Sequence, residues 1–182
     1  NEEINEGLVR FDIVFYVRMK DGLSQIIINV EAQKDEPTGY EILNRAIFYV
    51  SRLISSQKER DFENSSYDDI KRVYSIWVCM NMDESSMSHV HLTKEDLIGS
   101  YEWKGNLDLL NIIMLGLAKN LPEHDETYEL HRLLGALLSQ ELTIDEKLNI
   151  IGNEYDIPIE ENFRKDVSVM CNLSQRSEER RV

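Results

Sequence analysis

Cysteine is almost missing from the 182-residue chain, and the two present, Cys79 and Cys171, lie far apart. They give neither a disulfide framework nor a metal-ligand spacing, so a reduced, cytoplasmic setting is expected. Long apolar runs are missing as well. The longest, Ile112 to Ala118, is far too short to span a bilayer, and no signal peptide is visible. Positive charge is the third shortage. Lys and Arg number 20 against 34 Asp and Glu, a formal net charge of −14. That excess argues against tight nonspecific binding to nucleic acid. It is uneven, however: residues 1–80 carry −4 and residues 81–182 carry −10, so the acid gathers in the C-terminal half. No Ser- or Cys-based nucleophile constellation, internal repeat or low-complexity segment occurs. The chain opens on Asn1 and not Met, which reads as a fragment with its true N-terminus upstream.

What is present suits a soluble globular protein, with 42% hydrophobic, 8% aromatic and 30% charged residues. A chain of this length can bury one substantial core. Its most informative stretch is residues 9–33, VRFDIVFYVRMKDGLSQIIINVEAQ, which reads as two strands joined at Asp21-Gly22. Asp-Gly is a strong hairpin signal because Gly tolerates positive φ and Asp can follow it there. A two-residue turn fixes the register so that paired residue numbers sum to 43. Arg18 then faces Gln25, Val14 faces Asn29, and Asp12 faces Glu31.

Side chains alternate across a strand, so Phe11, Ile13, Phe15 and Val17 share a face with Ile26, Ile28, Val30 and Ala32. That apolar face is expected to lie on the core. The other face carries Arg10, Asp12, Asn29, Glu31 and Gln33. Directly opposed carboxylates sit ~5 Å apart at Cβ and repel each other. A divalent cation is the most economical compensation.

After the hairpin, Thr38-x-x-Glu41 predicts a capping box and a helix running to about Gln57. Leu43, Ala46, Ile47, Val50, Leu53 and Ile54 form its apolar face, expected to pack on the apolar side of the sheet. A second stripe, Arg45, Phe48, Tyr49 and Arg52, faces either the polar site or solvent. Residues 71–81 are β-branched and aromatic, which predicts a central strand buried on both faces. His89 to Thr93 suits a short strand, and residues 94–106 read as irregular. From Leu107 the pattern reads as helical, with Leu110, Ile113, Met114 and Leu117 on one face. Further helices are expected over Leu130–Leu138, after a Thr143-x-x-Glu146 cap, and over roughly 160–172. The division is thus a core over 1–106 and a helical region over 107–182, with layered α/β packing.

An Asp on one strand and Glu-x-Gln on its neighbour, all on one face, resembles the PD-(D/E)XK nuclease superfamily. Within it the chain looks like the Rpn-type, recombination-promoting nucleases, the PD-(D/E)XK nuclease family transposases. The resemblance rests on RFDIVF at 10–15, IINVEAQKD at 27–35, NRAIFYVSRLISSQ at 44–57 and YDDIKRVYSIWVCMN at 67–81.

It implies a restriction-endonuclease-like core, a mixed sheet flanked by helices, with a C-terminal helical extension and a first core helix upstream of this fragment. The family tends to carry a further acidic residue upstream of the Asp strand, and here that region is cut off or reduced to Glu2, Glu3 and Glu6, none of which is assigned to it. The resemblance also implies a metal-dependent DNA endonuclease acting in recombination, with Asp12 and Glu31 as ligands of Mg²⁺ or Mn²⁺. Gln33 takes the position usual for Lys, where an amide can orient water but offers no positive charge. Strand alternation sends Lys34 to the opposite face. Arg45 and Tyr49 match a recurring R-x-x-x-Y, whose role is to orient the carboxylates or touch DNA.

A nuclease-like fold kept as an interaction module, weak or inactive in catalysis, is the competing reading. The acidic surface, the missing Lys and leucine-rich helices suited to homo-oligomer formation motivate it. A third reading is a different nucleic-acid-processing hydrolase on the same core. His89-x-His91 puts two imidazoles on one strand face as a candidate metal pair, with no third ligand nearby in sequence.

Overall fold

The computed structural model describes residues 13–18, 20, 25–58 and 60–168 of the chain. The strand β1 (Ile13–Arg18) pairs antiparallel with β2 (Gln25–Gln33). The helix α1 (Ile42–Ser55) crosses to β3 (Arg72–Met82), which runs parallel to β2. Then come β4 (Ser86–His91), β5 (Leu110–Ala118), α2 (Glu129–Leu138) and α3 (Ile144–Tyr155). Residues 161–168 are also helical. The strands form one five-stranded sheet in the order β1-β2-β3-β5-β4, with β3 at its centre. This mixed sheet with flanking helices is the α/β architecture expected.

The hairpin register is the one that a two-residue turn demands. Pairs run from Ile13 with Val30 to Arg18 with Gln25, so their numbers sum to 43. Asp12 and the Asp21-Gly22 turn lie outside the described residues. Which face is buried is a correction. Among the described side chains of β2, Ile27, Asn29, Glu31 and Gln33 are buried, whereas Ile28 and Val30 are half-buried and Ala32 is exposed. On β1, Ile13 and Phe15 are 56% and 42% exposed. The cause is the crossover. Trp77, the ladder partner of Glu31, meets Tyr49 of α1 at 5.5 Å between ring centroids, so the helix lies over the face that carries Glu31.

The face that α1 buries is likewise narrower than its periodicity predicts. Ala46, Val50 and Leu53 are buried, while Leu43 and Ile47 stay exposed. The Thr38–Glu41 capping box is absent because the helix starts later, with Glu41 itself at the N-cap and no side-chain cap bond. The far end is held by the fully buried Gln57. Its Oε1 accepts from Lys71 N–H at 2.7 Å and its Nε2 donates to Lys71 O at 3.0 Å, tying the end of α1 to the entrance of β3. A buried amide with both ends satisfied loses little by leaving water.

Residues 110–118 are strand where helix was expected. Val73 N–H donates to Leu109 O at 2.9 Å and Lys119 N–H to Met82 O at 3.1 Å, so β5 runs in the same direction as β3. NIIMLGLA is a short apolar run, and such a run has no period that separates a strand buried on both faces from a helix. The sheet therefore continues past residue 106.

Two compact units make up the chain. One comprises the described part of Asn1–Cys79 with Ser86–Leu115, the other Met80–Ser85 with the described part of Gly116–Val182. In the second unit α2 contacts α3. The expected Thr143–Glu146 capping box is formed there, with reciprocal bonds at 3.3 and 2.8 Å. Arg132 grips Glu154 with two bonds, Nε to Oε2 at 2.6 Å and Nη2 to Oε1 at 2.8 Å. On α2 the leucines are at best half-buried and the buried side chains are His131 and Ala136. Among the described residues no helix is long and apolar enough to cross a membrane.

Candidate active site

The covered face of β2 concentrates polar groups in an otherwise apolar layer. Asn29 is fully buried, Glu31 is 3% exposed and Gln33 8% exposed. Their ladder partners on β3 are Ser75, Trp77 and Cys79. Buried polar groups need hydrogen bonds, and here they form a chain. Trp77 Nε1 donates to Ser75 Oγ at 2.9 Å. The Ser75 hydroxyl proton is then free to point at Asn29, which assigns the amide oxygen of Asn29 as its acceptor at 3.1 Å. The amide nitrogen in turn donates to Glu31 Oε1 at 3.1 Å and to the Ile13 carbonyl at 3.2 Å. The relay thus steadies the Glu31 carboxylate and fastens β1 to β2.

Gln33, one strand step beyond Glu31 on the same face, donates its Nε2 to the carbonyl of Asp35 at 2.7 Å. That bond occupies an amide proton and leaves the amide oxygen as an acceptor. Lys34 follows the last residue of β2.

Arg45 and Tyr49 arrive from α1. The Arg45 guanidinium stacks over Trp77 at 5.4 Å and over Tyr49 at 4.9 Å from the ring centroids. Its Nη2 donates to Tyr49 Oη at 3.0 Å and its Nη1 to Tyr40 Oη at 2.9 Å. Burial pulls the Arg45 pKa down, but the hydrogen bonds to Tyr49 and Tyr40 push it up, and the net direction is upward. The group is a permanent cation on the roof of the site. Tyr40 was not anticipated from the sequence. It lies five residues before Arg45 and outside the helix, so no helical spacing announces it.

The structure brings together Glu31, Gln33, Arg45 and Tyr49, while Asp12 lies outside the described residues. His89 and His91 do share a strand face, with rings stacked at 4.7 Å, and His89 Nε2 is hydrogen-bonded to Asn111 Oδ1 at 2.8 Å. Among the described residues no group of three or more His, Cys, Asp or Glu side chains is placed to hold a metal ion. The donors on the covered face are a carboxylate and an amide oxygen, hard ligands that suit Mg²⁺ or Mn²⁺ better than thiophilic metals.

The family model described as PD-(D/E)XK nuclease family transposase matches residues 1–181. No curated protein and no solved structure matches the chain. Because that match takes in the hairpin, the crossover helix and the helices after the sheet together, the chain belongs to the PD-(D/E)XK nuclease family transposases.

Proposed function

We propose that this member of the nuclease family is a divalent-metal-dependent DNA endonuclease of the recombination-promoting type, acting in the cytoplasm. The observation that carries the reading is the hairpin register. Described pairs run up to Ile13 with Val30 and their numbers sum to 43, the register in which a two-residue turn is expected to bring Asp12 opposite Glu31. Glu31 is nearly fully buried on the face that α1 roofs, with Asn29 donating to it. A buried carboxylate held in this way is a ligand placed in advance.

Asp12 and Glu31 would hold Mg²⁺ or Mn²⁺, which when bound polarises the scissile phosphate and lowers the pKa of a water. The protein's own residues do the rest. Gln33 presents its amide oxygen to the attacking water and orients it. Arg45 supplies the positive charge that an amide at position 33 lacks, and Tyr49 holds the guanidinium in place. Hydrolysis by this arrangement needs no covalent intermediate, in keeping with the absence of a Ser or Cys nucleophile constellation.

The Gln33 contact favours a second reading, a nuclease-like interaction module. With its nitrogen committed to Asp35 O, Gln33 brings no charge to the site. The two readings separate on calorimetric titration with Mn²⁺. The endonuclease binds the ion and loses binding in Glu31→Gln; the module shows no uptake that depends on Glu31. Plasmid nicking in Mg²⁺ or Mn²⁺ then tests the chemistry.

A further inference from the structure

Arg45 has more hydrogen-bonding capacity than the protein uses. A guanidinium carries five N–H donors. Its side-chain bonds go to two phenols, Tyr40 and Tyr49, and among the described residues no carboxylate pairs with it. In a chain of net charge −14, a half-buried arginine without an acidic partner stands out. Buried or half-buried cations are normally paired, because removing them from water is costly.

Arg45 also lines an open cleft of about 420 Å³, together with Tyr40, Phe48 and Tyr49. Of these, Tyr40 and Phe48 are 47% and 54% exposed. Exposed aromatic rings beside a cation with no carboxylate partner among the described residues match one ligand chemistry closely: a phosphate for the guanidinium and a flat π-face for the rings. A volume of this size falls at the lower end of the range for small-molecule sites, about 300–1,000 Å³. Base stacking on aromatic side chains is tolerant of sequence and needs the base out of its duplex stack.

We infer that this cleft holds one unstacked nucleotide of a DNA strand, its phosphate on Arg45 and its base against Phe48 and Tyr40, so that the protein selects single-stranded or frayed DNA. The inference rests on the nuclease reading for its substrate class, and it goes beyond that reading in naming the structure of the DNA. The cleft neighbours the proposed catalytic face, since Arg45 lies over Trp77, the ladder partner of Glu31. A nucleotide seated there belongs to the strand being cut. Charge complementarity explains how an acidic protein could hold DNA locally with no broad basic patch.

Fluorescence anisotropy with a labelled 20-nucleotide single strand and the matching blunt duplex tests this, using the full chain carrying Glu31→Gln so that no cleavage intervenes. The single strand is expected to bind at least about tenfold more tightly than the duplex. Phe48→Ala should weaken single-strand binding about tenfold and remove most of that preference, as expected for one lost stacking contact. Phe48→Trp should keep it. Arg45→Met should reduce the slope of log K against log salt by about 0.7, one phosphate contact on a single strand. Phe48 is half-exposed, so its loss should leave the thermal unfolding curve in place. Equal affinity for duplex and single strand, or a Phe48→Ala protein that binds like its parent, overturns the inference. Failure of the nuclease reading shows separately, as absence of cleavage by the parent chain.

Discussion

Trp77 stands opposite Glu31 in the parallel β2–β3 ladder, and the Arg45 guanidinium lies 5.4 Å above its ring. One indole thereby serves two neighbours. Its face supports the cation, and its N–H starts the Ser75–Asn29 relay that ends on the Glu31 carboxylate. Trp77 is 1% exposed, so replacing it with Ala leaves a large void and should cost about 3–5 kcal/mol in urea unfolding. Trp77→Phe keeps most of the volume and loses the N–H bond to Ser75, and about 1 kcal/mol is expected. A Trp77→Phe protein as stable as its parent would mean that the N–H bond, and the relay it starts, contributes nothing to stability.

Gln33 should act through its oxygen. Gln33→Ala is expected to slow cleavage at least tenfold while leaving the unfolding midpoint nearly unchanged, because among the described residues the amide bonds to a loop carbonyl. Gln33→Lys restores a cation at this position and should cleave as fast as the parent or faster. Initial rates of supercoiled-plasmid loss measure both.

Acid should loosen the second unit through Glu154. The two bonds from Arg132 hold its carboxyl below the ordinary value of 4.5, against a smaller opposing effect of burial. Because the folded-state pKa is depressed, the stabilisation is fully present above the unfolded value and fades as pH falls through the folded one. The Tm advantage of the parent over Glu154→Gln should therefore be constant near neutrality and shrink below about pH 4.5. An advantage that grows on acidification would contradict the ion-pair assignment.

How far the sequence was legible varied by element, for physical reasons. The hairpin register followed from Asp21-Gly22, since turn length alone sets strand pairing, and β3 declared itself through its β-branched and aromatic run. Thr143-x-x-Glu146 was a true capping box, whereas Thr38-x-x-Glu41 was not, because α1 begins only after Glu41. β5 was hidden, its apolar run fitting helix and buried strand equally well. The buried face of β2 was hidden too. Local alternation shows that two faces differ in polarity, but the path of the crossover helix decides which one is covered. For the site, Glu31, Gln33, Arg45 and Tyr49 were readable as types at set spacings. The Asn29–Ser75–Trp77 relay and Tyr40 were not, because they depend on contacts between strands and on a loop returning to the helix.

Asp12 and Glu31 are proposed to act as one metal-binding pair. Plasmid nicking by the full chain in Mg²⁺ or Mn²⁺, compared with Asp12→Asn and Glu31→Gln, tests this most directly. Metal-dependent nicking is expected, with each substitution lowering the rate at least about a hundredfold and the double variant falling no further, as residues acting as a unit behave. Nicking that proceeds equally well in either variant would contradict the assignment.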